Sequence, residues 1–250
     1  MRSSFAARAA RKIGWIARSA EVNWPGGVAS FTFDDFPKSA LTVGGAILEK
    51  YGARGTYYTA MQLAGTRSDL GRLFEVDDIA GAHRAGHEIA CHTFSHLGCR
   101  HAAAATIAAE VSRNSREIAL ALDGAAPSSF AYPYGAVSLT ARRVLKNRFS
   151  SCRGTAEGIN RGTVDLADLR VVTLFAHLFD QAAVHRMIDA AHASNAWTIF
   201  YTHDVAEEPS EWGCTPAQLE IVAAYAASAL EVLPVRDVVA RLSAAGGRGS

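Results

Sequence analysis

The sequence predicts an α/β fold, a distorted (β/α) barrel of seven to eight parallel strands, on three observations. Short apolar runs alternate with longer helical patterns along nearly the whole chain. The runs are mostly four to six residues long and rich in β-branched and aromatic side chains, as strands buried on both faces are. Seven or eight such units within about 225 residues suit a closed or nearly closed sheet better than an open one.

The strand candidates are 28–33, 55–59, 88–91, 129–132, 149–152, 169–174, 197–202 and 231–233. Helical patterns fill the intervals at 38–50, 76–85, 101–122, 139–146, 180–193, 216–229 and 235–243. The 101–122 stretch is the clearest: it is Ala-rich, with Ile107, Val111, Ile118 and Leu122 at helical spacing. No internal repeat and no Pro/Gly/Ser-rich linker divides the chain, so residues 21–243 read as one domain. Residues 244–250 (AAGGRGS) are expected to be a disordered tail.

With 49% hydrophobic and 20% charged residues, the composition is that of a globular protein. A net charge of +1 gives no reason to expect nucleic acid as a partner. The charge is unevenly spread. Residues 1–20 hold Arg2, Arg8, Arg11, Lys12 and Arg18, with no acid before Glu21, which leaves the rest of the chain at −4. Phe5, Ile13, Trp15 and Ile16 make this a basic amphipathic segment, either packed on the barrel or touching a membrane surface. Charges interrupt any signal-peptide core, and no run reaches the roughly 18 apolar residues that span a bilayer. The expected location is the cytoplasm, free or peripheral to the membrane. Cys91, Cys99, Cys152 and Cys214 lack CxxC spacing and are expected to be free thiols, as in a reducing compartment.

The unusual polar residues fall where strands end. Asp34 and Asp35 follow the first strand and His92 the third. Tyr132-Pro133-Tyr134-Gly135 ends the fourth, Arg153 follows the fifth, and His203-Asp204 ends the seventh. In a parallel barrel these C-terminal ends meet on one face, where such barrels do chemistry.

In Thr32-Phe33-Asp34-Asp35 two adjacent carboxylates repel at the end of an apolar strand, unless they share a cation or one takes a proton. Strand neighbours face opposite sides, so the chain must turn here for both to reach one site. The same pair also suits a helix N-cap before Pro37. His92-Thr93-Phe94-Ser95-His96 places imidazoles at i and i+4. On a helical turn they share a face and can share a metal, although surface histidines reach this spacing by chance. With a nearby Asp they form a His₂Asp set that leaves positions open for water and substrate. Cys91 should then point into the core. His203, at the end of an apolar strand, can donate a proton to a leaving group or simply bond loop backbone.

Thr32-Phe33-Asp34-Asp35 and His92-Thr93-Phe94-Ser95-His96, together with Tyr132-Pro133-Tyr134-Gly135 and Thr202-His203-Asp204, resemble the ordered motifs of the polysaccharide deacetylases (carbohydrate esterase family 4, the NodB homology domain). The resemblance runs from about residue 28 to 205. It implies a NodB-type distorted barrel and a hydrolase that removes N-acetyl groups from sugar residues of an oligosaccharide or glycan precursor. It implies that Asp35, His92 and His96 hold a divalent metal, Zn²⁺ first, with Co²⁺ or Ni²⁺ also accepted. By the same resemblance Asp34 is the base that activates water, and Tyr134, in the Pro133-Tyr134 turn, gives a backbone N–H to the oxyanion. His203 is then the acid. One departure stands out. The family's usual Arg, two residues before the motif proline, is Ala131 here. Arg153, following the next strand, is the candidate to replace it at Asp34, and Asp165 and Asp168 are candidates to pair with His203. Hydrolysis of a small non-sugar amide and non-catalytic glycan binding are the alternative readings. The basic residues 1–20 would suit a lipid-linked substrate.

Overall fold

A computed structural model describes residues 18–246. Most of the basic N-terminal segment lies outside the described residues, and its last residues enter a strand. Ser19–Val22 form strand β1. The barrel itself consists of β2 (Val28–Asp34), β3 (Thr56–Thr59), β6 (Glu88–Cys91), β7 (Ser129–Ala131), β8 (Ser151–Glu157), β10 (Leu169–Thr173) and β11 (Trp197–Thr202). All pair in parallel, and β11 closes the ring by pairing with β2 from Trp197↔Val28 to Thr202↔Phe33. The fold is therefore a closed seven-stranded (β/α) barrel. The eighth strand, β12 (Glu231–Val232), pairs only with Val28 and Ala29.

Strand alternation sorts the side chains into two layers. Along β2, Ala29, Phe31 and Phe33 join an outer core with helix residues Leu48, Ile188, Leu219 and Val222. Val28, Leu169, Val171, Trp197, Ile199 and Tyr201 form a second core with Val235, Val238 and Val239 of the last helix, Val235–Gly246. That helix closes the barrel at its N-terminal end. Its Val235 N–H donates to Thr56 Oγ1 (3.0 Å) and its Arg236 N–H to Glu88 Oε2 (2.8 Å), and these acceptors are the first residues of β3 and β6. The helix runs past Ser243 to Gly246, into the expected tail, whose last four residues lie outside the described residues.

Three other differences from the sequence reading have plain causes. Strand β8 starts at Ser151 and continues to Glu157, because its pairing with β10 carries it past Gly154 and Thr155. Arg153 thus lies within a strand rather than after one. The antiparallel pair of β1 with β9 (Gly162–Asp165) and the small hairpin of β4 (Arg67–Ser68) and β5 (Gly71–Arg72) are polar and short, with no hydrophobic alternation to reveal them. The long helix spans Ala104–Ala121 and buries Ile107, Val111 and Ile118 as its spacing predicts, but it also buries Asn114. Among the described residues no helix is long and apolar enough to cross a membrane. The four cysteines are free and buried.

A buried histidine ties the first helical crossover to β6. Gly55 N–H donates to His87 Nδ1 (2.9 Å) and His87 Nε2 faces Glu49 Oε1 (3.1 Å), so the ring is held neutral with its proton on Nε2. Burial pushes its pKa below the usual histidine value, against the opposing pull of Glu49. The unfolded chain takes up a proton near pH 6.5 that the folded chain resists, so stability falls as pH drops below that value, by at most about 1.4 kcal/mol per pH unit for one group. Thermal melts should show a lower Tm at pH 5.5 than at pH 7.5, and His87→Gln should flatten part of that slope. Equal slopes in the two proteins would contradict the assignment.

Candidate active site

At the end of β2 the chain turns sharply. Asp35 (φ 59°) and Phe36 (φ 50°) both adopt the left-handed conformation, which non-glycine residues avoid. This is the turn that brings two neighbouring carboxylates to one place. Asp34 Oδ2 lies 3.8 Å from His92 Nε2, and Asp35 Oδ1 lies 3.7 Å from the same nitrogen. His96 Nε2 is 3.2 Å from Asp35 Oδ1. The two histidines do not share a helical turn. They sit on a loop with left-handed residues at Thr93 (φ 59°) and His96 (φ 57°), in which Thr93 Oγ1 accepts from Leu97 N–H (2.7 Å). The side chains still converge, because the loop doubles back. Cys91 turns the other way, into the core, where Asn114 Nδ2 donates to its sulfur (3.2 Å).

The donor set fits a divalent ion. One ligand atom each from Asp35, His92 and His96 lie within 4.8 Å of one another. His92 Nδ1 is 2.9 Å from the Ala131 carbonyl, which requires a proton on Nδ1 and leaves the Nε2 lone pair facing the carboxylates. Burial pushes His92 down to about 3 and also lowers His96, so both rings are neutral, as ligands must be. Asp35 Oδ1 is buried without a hydrogen-bond partner. Burial raises the Asp35 pKa to about 6, with Asp34 and Asp69 adding to the rise. A carboxylate held beside two neutral imidazoles and lacking a donor is short of one cation.

Asp34 is different. Its Oδ1 forms a buried ion pair with Arg153 Nη2. Arg153 is fully buried, donates to the Gly154 carbonyl (2.9 Å) and lies between two rings, 4.8 Å from the Tyr58 centroid and 4.7 Å from that of Tyr201. Burial works to raise the Asp34 pKa, but Arg153, His92 and His203 outweigh it and the net shift is downward. Asp34 is therefore ionised where Asp35 alone is not secure.

A family model described as polysaccharide deacetylase matches residues 21–148, half of the chain. The chain belongs to the polysaccharide deacetylase family. No curated protein matches it. Solved structures share the fold. A candidate polysaccharide deacetylase from Mycobacterium smegmatis superposes with TM-score 0.63 at 17% identity, over 91% of this chain and 94% of that one. A family 4 acetyl xylan esterase from Clostridium thermocellum, in complex with a cobalt ion, gives 0.55 at 23% identity, over 86% and 91%. The CE4 domain of a multidomain xylanase from the hindgut metagenome of Trinervitermes trinervoides gives 0.56 at 19%, over 86% and 90%.

Where polysaccharide deacetylases usually carry Arg, this chain has Ala131, and the structure shows what stands around it. Tyr58, Ala90 and Ala131 form a small buried cluster, so short side chains at 90 and 131 leave room for the Tyr58 ring against the Arg153 guanidinium. The Ala131 carbonyl still orients His92. His203 N–H and Nδ1 both lie 3.1 Å from the Trp212 carbonyl, which leaves Nε2 as the other nitrogen able to hold a proton. Asp165 and Asp168 do not pair with it. Both carboxylates bind Arg142, and Asp165 also accepts from Arg18 N–H (2.9 Å). They flank the start of β10, whereas His203 follows the end of β11, and the strands run parallel. Tyr134 (φ 58°) is exposed in the Pro133–Gly135 turn with its ring 4.5 Å from that of His96.

Asp34, Asp35, His92, His96, Tyr134 and His203 line a cavity of about 660 Å³. Its other walls were invisible in the sequence: Arg67, Ser68 and Asp69 of the hairpin, Phe175 after β10, and Trp212. Trp212 is 42% exposed and is carried on a loop pinned by Asp204, whose carboxylate accepts from Ser210 N–H (2.9 Å) and Ser210 Oγ (2.5 Å). A side chain at Gly213 would sit 2.4 Å from that carboxylate, so glycine is required there.

Removing one member of the buried pair leaves the other charge without a partner, which destabilises a protein by about 3–5 kcal/mol. Urea unfolding of Arg153→Ala should show a loss of that order. The double variant Arg153→Met with Asp34→Asn should lose markedly less than the sum of the singles, and additivity would show that the two groups do not interact.

Proposed function

We propose that this protein is a metal-dependent hydrolase that removes N-acetyl groups from sugar residues of an oligosaccharide or glycan precursor. The observation that carries the reading is the convergence on one cavity of three ligands short of a cation, an ionised carboxylate beside them, and a histidine opposite. A divalent ion held by Asp35, His92 and His96, Zn²⁺ first, would polarise the acyl carbonyl and make water a better nucleophile at neutral pH. The cobalt ion in the Clostridium thermocellum esterase supports a metal in this fold.

The remaining roles belong to the chain's own groups. Asp34, kept ionised by Arg153, takes a proton from the attacking water. The backbone N–H of Tyr134 is the proposed donor to the oxyanion that forms on the carbonyl oxygen. His203, fixed through Nδ1 by the Trp212 carbonyl, delivers a proton from Nε2 to the departing nitrogen, since an unprotonated amine is a poor leaving group. Water and amide thus become acetate and amine. Exposed Tyr134 and Trp212 rings at the cavity favour flat sugar faces as the bound surface.

Purified protein stripped with a chelator should release acetate from N-acetylated oligosaccharides only after Zn²⁺ or Co²⁺ is restored. Asp34→Asn should lower kcat by about 10²–10⁴-fold. Saturating the site at about 100 times Kd should stabilise the fold by about 2.7 kcal/mol, read as a rise in Tm that Asp35→Ala and His92→Ala abolish. Metal retained with no acetate released from any N-acetyl sugar would overturn the assignment.

A further inference from the structure

The loop that carries His92 and His96 has two left-handed non-glycine residues, each unfavourable by about 1–3 kcal/mol, so something outside the loop must hold it in shape. One oxygen does most of this. Glu110 Oε2, on the long helix, accepts from Phe94 N–H (3.0 Å), Ser95 N–H (2.8 Å) and Ser95 Oγ (3.0 Å). Hydrogen bonds to an ionised acceptor are roughly twice as strong as neutral ones, and three converge here within the five-residue span of the two imidazoles. The same helix face continues the grip. Arg113 lies over the Phe94 ring at 3.5 Å. Asn114, one turn beyond Glu110 and fully buried, donates to the Thr59 carbonyl (2.8 Å) and accepts from Met61 N–H (2.9 Å). Gln62 N–H closes the circuit on the Phe94 carbonyl (3.0 Å).

We infer that Glu110 is a positioning residue for the metal centre: it fixes the loop between His92 and His96 and thereby sets the affinity of the Asp35–His92–His96 site for a divalent ion. It touches neither the ligand atoms nor the cavity. Its effect passes through the backbone of Phe94 and Ser95, and Arg113 and Asn114 hold the helix in register with the ends of β3 and β6. The inference rests on the reading of Asp35, His92 and His96 as ligands.

The test is Zn²⁺ affinity of the full chain, measured by competition with a chromophoric chelator, alongside the Tm of the metal-free protein. Loss of a group that orients metal ligands typically weakens binding 10–100-fold, and that is expected for Glu110→Ala. Glu110→Gln keeps an acceptor without the charge and should recover part of the affinity, ending about fivefold weaker than wild type. Arg116→Ala, exposed on the same helix, should bind as wild type does. A purely structural glutamate would lower the metal-free Tm and leave the Zn²⁺ affinity of the folded protein within twofold. That result in Glu110→Ala, or in Glu110→Gln should the alanine variant not fold, overturns the inference. A wild-type protein that binds no Zn²⁺, Co²⁺ or Ni²⁺ overturns the ligand reading instead, and this inference with it.

Discussion

The buried ion pair between Asp34 and Arg153 is the constraint around which the upper barrel is organised. Two charges removed from water are stable only when they are held in close geometry. Here the guanidinium spans from β8 to β2 across the barrel interior, with Tyr58 from β3 on one side and Tyr201 from β11 on the other. Four of the seven strands therefore contribute to one contact. The small residues Ala90 and Ala131 on β6 and β7 belong to the same arrangement, because a longer side chain at either would compete with the Tyr58 ring for space.

That contact also separates the two adjacent carboxylates chemically. Asp34 has its cation within the protein and is ionised without help. Asp35 has two neutral imidazoles and a buried oxygen with no donor, and its carboxyl resists ionisation. Neighbours in sequence thus have their pKa values pushed in opposite directions, Asp34 down by a cation within the protein and Asp35 up by burial without one. The left-handed turn at Asp35 and Phe36 nevertheless keeps both carboxylates beside the same nitrogen, His92 Nε2.

Much of this was legible in the sequence because parallel strands must end on a common face. Asp34, Asp35, His92, His96, Tyr134 and His203 all lie at or beyond the C-terminal ends of strands, and the cavity gathers all six. The local geometry was not legible. HxxxH suggested a helical turn, but spacing alone cannot distinguish that from a loop that doubles back through left-handed residues. Arg153 was placed after its strand and lies inside it, since pairing with β10 extends β8 through residues with no apolar pattern. Asp165 and Asp168 illustrate the limit from the other side. They were candidates to pair with His203, yet residues at a strand's start belong to the opposite end of the barrel, and Arg142 is the cation they meet. Glu110 and Trp212 carry no sequence signal, because a helix face and a loop give no hint of which distant backbone they will touch.

The closure of the barrel bears on when the centre can exist at all. Strand β2 carries Asp34 and leads into Asp35, yet its lateral support comes from far along the chain. Thr32 Oγ1 bonds the Phe200 carbonyl across 168 residues, and Ser30 Oγ bonds the Leu233 carbonyl across 203. A polypeptide emerging from the ribosome has the two aspartates and both histidines early, but no wall to mount them on until β11 and β12 have been made. Contacts of such long range also form slowly, since loop closure must precede the gain. The geometry of the proposed Asp35–His92–His96 site is thereby confined to the finished barrel, and a nascent chain exposes these three side chains without it.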